Sequence, residues 1–103
     1  ETDVINMVSR GIDVRDILKG IHLSMAGRLV RLLAAAGARG VVLVTGGLAR
    51  DTGLTRCLRE EAVRQKVAIE VRVSDRSIYA GALGAALWGA FRHCRLASRG
   101  RAA

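Results

Sequence analysis

Residues 41–54 read VVLVTGGLARDTGL. Four aliphatic residues run into a threonine and two adjacent glycines, then a polar turn, then the start of a helical pattern. A run that is apolar on both faces is the signature of a central parallel strand covered on each side. In a parallel α/β unit, ligands bind beyond the carboxyl ends of the strands, at the turn into the next helix. Glycine at that turn leaves the main chain bare, so a flat or anionic group can come closer than any Cβ would permit. Thr45, Gly46 and Gly47 occupy that position. The pair alone marks a tight turn as readily as a ligand site. No GK[ST] follows, which excludes a P-loop, and the third glycine of a dinucleotide fingerprint is missing.

Upstream, Val14, Ile17, Leu18, Ile21, Met25, Leu29 and Leu32 recur at helical spacing. Asp13 stands where a cap is needed, Asp16 falls in the first turn, and Gly37 and Gly40 end the pattern. Gly20 and Gly27 inside this helix each cost about 1 kcal/mol relative to alanine, which predicts close packing at both points. A short helix before Gly11 precedes it. Downstream, residues 51–66 read as a helix with Leu54, Leu58 and Ala62 on one face. AIEVRV then alternates, with Ile69, Val71 and Val73 on one side and Glu70 and Arg72 on the other, as in a half-covered strand nearer a sheet edge. Ser77 is placed to cap a last helix from Ile78 to about Cys94. Helix, strand, helix, strand, helix predicts an α/β layer of short parallel strands flanked by helices. The last helix has a small-residue surface of Ala80, Gly81, Ala82, Gly84, Ala85, Ala86 and Gly89, which calls for a close neighbour.

The chain has 103 residues, half of them hydrophobic and a quarter charged, which suits one folded domain with a modest core. It begins at Glu1 with no signal-like segment, as a piece of a longer chain would. No apolar run reaches the roughly 18 residues needed to span a bilayer, so a cytoplasmic protein with no membrane role is expected. Of 17 basic residues, 15 are arginine and only Lys19 and Lys66 are lysine. The net charge of +8 raises nucleic acid as a partner. The arginines are dispersed, however, and no aromatics interleave a basic groove. Only the segment from Arg92 to Arg101 gathers charge without any acid. A solvated basic surface, or a face for an acidic partner, accounts for it better. Cys57 and Cys94 form no CxxC pair, and with His22 and His93 they give no zinc spacing, so no metal ligand is assigned. Cys57 reads as a small buried hydrophobe, and His22 as a packing histidine rather than a base. Trp88 and Phe91 read as anchors for helix packing or for an interface.

Three ordered segments together resemble a known family. They are ETDVINMVSRGIDVRDILKGIHLSMAGRL, VVLVTGGLARDTGLTRCLREE and, beginning 30 residues after Gly47, SIYAGALGAALWGAFRH. They look like the adenosine half of the actin, sugar-kinase and chaperone ATPase superfamily. Within it they most resemble the BadF/BadG/BcrA/BcrD-type ATPases that drive 2-hydroxyacyl-CoA dehydratases and benzoyl-CoA reductase. The last segment points most toward the C-terminal part of delta-type benzoyl-CoA reductase ATPase subunits. The resemblance extends to about Leu96, which sets residues 1–96 as the C-terminal portion of an actin-like ATPase domain and 97–103 as a basic tail.

That resemblance implies a ribonuclease-H-like half-lobe and an ATP or ADP site with Mg. It also implies hydrolysis coupled to low-potential electron transfer through a 4Fe-4S cluster shared with a second ATPase subunit. Other reductase subunits and a ferredoxin donor would be the partners, in anaerobic degradation of aromatic compounds. Carried over position by position, Thr45, Gly46 and Gly47 would lie against the ribose and α-phosphate side of the nucleotide. Leu48 and Ala49 would begin the turn, and Gly81 would back the pocket. Where the family often has asparagine after the glycines, this chain has Arg50 and Asp51. The phosphate loop and the cluster cysteine have no counterpart here, so no catalytic residue is assigned and the isolated chain is expected to be inactive. A 2-hydroxyacyl-CoA dehydratase activator or another actin-like kinase would share the same half-lobe. A basic, non-enzymatic interaction domain is the reading from a different class.

Overall fold

A computed structural model describes residues 2–101. By their internal contacts these fall into two units, one formed by residues 2–43 and 51–72, the other by residues 44–50 and 73–101.

The first unit contains helices α1 (Thr2–Ser9), α2 (Val14–Ala35) and α3 (Thr52–Arg64), with strands β1 (Gly40–Leu43) and β2 (Ile69–Arg72). Asp13 caps α2 as expected, its carboxylate accepting from the Arg15 amide at 2.9 Å. Gly37 follows the helix with φ +71°, the left-handed turn that favours glycine after a helix end. β1 and β2 pair in parallel, with Val41 opposite Glu70, Val42 opposite Val71 and Leu43 opposite Arg72. The predicted parallel strands and flanking helices are therefore present, as a β1–α3–β2 crossover.

α2 packs against α3, and the core is built from Ile17, Ala26 and Val30 with Leu54, Cys57, Leu58, Ala62 and Val71. The α3 face expected from its spacing is buried, and Cys57 lies within it. The α2 face is not the expected one. Leu18, Met25, Leu29 and Leu32 remain exposed, while the smaller Ala26, Gly27 and Val30 face inward. The reason is interhelical distance. A Cβ on Gly27 would lie 3.7 Å from the Glu61 carboxylate and 3.9 Å from the Gln65 amide, so α3 comes close where α2 is bare. Gly20 has no such neighbour, and the close packing predicted there is absent from this chain.

Coverage of β1 also differs from expectation. Val71 is buried on the helix side of the sheet, but Val41 and Leu43 are 57 % and 55 % exposed. The strand is apolar on both faces, yet the described residues supply a layer for one face only.

The second unit holds a 3-10 turn at Gly47–Arg50, another at Ser77–Tyr79, and α4 (Ala80–Arg101). Ser77 does not cap α4 as predicted. Its hydroxyl accepts from the Ser74 amide at 2.9 Å, and the chain passes through the 3-10 turn before α4 begins. Nor does the helix stop near Cys94. It continues through Arg101, across residues 97–101 of the expected tail, where Ala97, Arg99 and Arg101 favour a helix and no proline breaks it; residues 102 and 103 lie outside the described residues. No residue of α4 is buried. Its small-residue surface has open space at Gly81, Gly84 and Gly89, so the close neighbour expected there is not supplied by this chain.

Candidate functional site

The turn after β1 is held by main-chain bonds within the second unit. The Gly46 amide donates to the Ser77 carbonyl at 2.9 Å, and the Ala49 amide donates back to the Gly46 carbonyl at 3.1 Å. Ser77 is itself buried, with its amide bonded to the Ser74 carbonyl at 2.9 Å. One buried serine thus joins the glycine turn to the segment that enters α4. Nothing in the residue pattern marked Ser77 for this role beyond the Ser-Asp-Arg-Ser turn chemistry around it.

The two glycines do different work. Gly46 has φ +90°, a conformation that a side chain would strain. Gly47 has no left-handed φ, and a Cβ there would meet nothing within 4 Å, so its bareness serves nothing inside this chain. Thr45, Gly47 and Leu48 are exposed. Ala49 is buried, so its methyl packs inward and braces the turn. Gly81 lies exposed in the first turn of α4, two residues beyond the Ser77–Tyr79 turn, also facing open space. The amides of Gly46 and Ala49 are committed to carbonyls. What the turn presents to solvent is bare main chain at Gly47, flanked by the exposed side chains of Thr45 and Leu48.

Asp51, which follows the turn in sequence, belongs to the first unit and has a different task. Its Oδ1 accepts from the Leu54 amide at 2.9 Å, capping α3. Its Oδ2 lies 3.0 Å from His22 Nε2. The Leu54 amide, followed by the nearby His22, holds the Asp51 carboxyl below its ordinary range. Both oxygens are occupied, so Asp51 is a structural residue. His22 is a partly buried packing histidine, as expected. Lys19 shares an open cleft of the first unit with Arg15, His22 and Arg56.

A Cβ added at Gly47 or at Gly81 would meet no other atom of this chain within 4 Å, so neither position is closed off by the chain itself. An iron-sulfur cluster does not fit. Cys57 is buried in α3 and Cys94 stands on exposed α4. Among the described residues no group of three His, Cys, Asp or Glu side chains is placed to hold a metal. No helix among the described residues is long and apolar enough to cross a membrane.

Several known proteins share this sequence pattern. The chain is 63% identical over 102 residues to a benzoyl-CoA reductase subunit of Thauera aromatica, a match covering 98% of this chain and 36% of that protein. It is 39% identical over 88 residues to the (R)-2-hydroxyglutaryl-CoA dehydratase activating ATPase of Acidaminococcus fermentans, covering 85% of this chain and 32% of that one. The activator of lactoyl-CoA dehydratase from Anaerotignum propionicum is 38% identical over 88 residues, covering 85% of this chain and 32% of the activator. The chain thus spans about a third of the length of the curated relatives it matches. No solved structure matches it. The model of the BadF/BadG/BcrA/BcrD ATPase family matches residues 1–89, and the chain belongs to that family.

Proposed function

We propose that this chain forms the adenosine side of the ATP site in an ATPase subunit of a benzoyl-CoA reductase. The observation that carries the reading is the 63% identity to a benzoyl-CoA reductase subunit, against 36–39% for the dehydratase activators. The open surface at Gly47 and Gly81 supports it. In the complete protein, ATP and Mg would supply hydrolysis to drive a low-potential electron through a 4Fe-4S cluster toward the aromatic ring of benzoyl-CoA. The residues that bind phosphate, metal and cluster would come from outside these 103 residues. The part played by this chain is steric and positional. Thr45, Gly46 and Gly47 lie against the ribose and α-phosphate side, the glycines with bare backbone, and Leu48 begins the turn. Ala49 and Ser77 keep the turn from moving, and Gly81 leaves room behind the nucleotide. Such a protein works in the cytoplasm with a second ATPase subunit and a ferredoxin donor. The dehydratase activators share the same half-lobe, and the higher identity favours the reductase.

Gly47→Val in the full-length subunit tests the reading cleanly, because the chain itself has space for the new side chain. ATP and ADP affinity by titration calorimetry should fall by about tenfold or more, the equivalent of about 1.4 kcal/mol. The circular dichroism spectrum should be unchanged, and benzoyl-CoA reduction by the assembled enzyme should fall with the binding. Unchanged nucleotide affinity would overturn the proposal.

A further inference from the structure

The geometry points to the outer half of α4 as a docking helix for an acidic, apolar-floored groove on another subunit of the complex, an inference that rests on the reductase reading above. Leu87 is 72 % exposed, Trp88 61 % and Phe91 53 %. The two aromatic rings stack with centroids 5.6 Å apart, and the Arg95 guanidinium sits 5.7 Å from the Phe91 centroid. Spacings of three and four residues place Leu87, Trp88, Phe91, Arg92, Arg95 and Arg99 on one side of the helix. Exposed tryptophan, phenylalanine and arginine in one patch is the composition of an interface centre.

Two observations name the occupant. The first is charge. There is no carboxylate side chain anywhere in α4, and among the described residues none of its arginines forms an ion pair. A complementary surface must therefore bring the acid. The second is the extent of the similarities. The family match ends at residue 89, whereas the match to the Thauera benzoyl-CoA reductase protein covers 98% of the chain and so takes in most of the residues beyond it. The arginine-bearing half of α4 is thus shared with a protein that is itself one subunit of a larger enzyme, and lies outside the common ATPase core. Nucleic acid fits the patch less well, because the two rings stack on each other and Arg95 lies against Phe91, so the patch lacks a row of separate open ring faces on which successive bases could stack.

The test is made on the full-length subunit and its assembled complex. Arg95→Glu/Arg99→Glu is compared with Arg10→Glu/Arg39→Glu, the same charge change on exposed residues of the first unit. The α4 variant should weaken subunit association by about tenfold or more and flatten its salt dependence, while the control associates like the parent. Trp88→Ala should weaken association at high salt as well. Hydrogen exchange at residues 91–101 should slow on assembly. The proposal is overturned if the α4 variant assembles normally or if exchange there does not change on assembly. It is equally overturned if these residues are already protected in the isolated full-length subunit, which would make the rest of the same polypeptide the occupant. Binding to DNA or to vesicles of anionic phosphatidylserine in preference to the other subunits would also reject it. Nucleotide affinity measured on the same samples should be unaffected by all of these variants, so failure of the docking helix and failure of the nucleotide reading leave different signatures.

Discussion

Gly53 lacks a side chain because the His22 ring stands where one would be. A Cβ there would lie 2.8 Å from the ring Cε1 and Nδ1 and 3.2 Å from Asp51 Oδ1. The glycine, the histidine and the capping aspartate therefore form one fitted group at the start of α3. Gly53→Ala should destabilise the chain by about 1–3 kcal/mol, the usual cost of overpacking. The same substitution in a His22→Ala background should cost much less, because the ring that it strikes has gone. Urea unfolding of the two pairs measures both. Equal costs in the two backgrounds would show that the histidine ring is not what keeps position 53 bare. Gly46 and Gly47 differ in the same way: one glycine answers to its own backbone angle, whereas a Cβ on the other would meet no atom of this chain within 4 Å.

At the scale of the elements, α2 and α3 are joined by a buried carboxylate. Glu61 is 4 % exposed, and its Oε2 accepts from Gln65 at 3.0 Å and from Arg64 Nη2 at 2.9 Å. Gln65 donates in turn to the Gly27 carbonyl of α2 at 3.3 Å. The Gln65 bond, then the Arg64 bond, hold the Glu61 carboxyl below its ordinary value of 4.5. A carboxyl depressed by folding contributes stability that is fully present above its unfolded value. That contribution is lost as pH falls through the lower, folded value. Chemical-denaturation midpoints should therefore decline below pH 4.5, and Glu61→Gln should lower the neutral-pH midpoint while making that acid decline shallower. An acid limb identical in the variant would show that Glu61 does not contribute to it. The exposed Arg56–Glu60 pair on α3 contributes only a few tenths of a kcal/mol.

At the scale of the whole molecule, the uncovered surfaces have a common sense. β1 shows Val41 and Leu43 to solvent, and α4 buries none of its residues. A two-stranded parallel sheet with one covered face is marginal by itself. A protein of the Thauera relative's length, of which this chain matches 36%, would have sequence enough to cover β1 and the small-residue face of α4. Among the described residues no group of three His, Cys, Asp or Glu side chains is placed to hold a metal, and the polar side chains of the glycine turn are Thr45 and Arg50 alone. Phosphate release from ATP by the isolated 103-residue chain should therefore stay at the uncatalysed background. Turnover above it would mean that hydrolytic residues lie within this chain, against the present assignment.

The alternation of helix and strand, the parallel pairing, the apolar face of α3, the Asp13 cap and the burial of Cys57 were legible in the residue pattern, because periodicity and capping are local and each depends on neighbours a few positions away. The family was legible too, through three motifs in order. What only the tertiary structure decided were relations across distant sequence. It chose Ala26, Gly27 and Val30 over the larger leucines as the buried face of α2, because interhelical distance, not hydrophobicity, selects the contact. It made Asp51, to which the residue pattern assigned no role, a cap shared with His22, and turned Ser77 from an expected helix cap into the tie that holds the glycine turn. It extended α4 through Arg101. Each of these depends on which atoms meet after folding, and one-dimensional spacing carries no record of that.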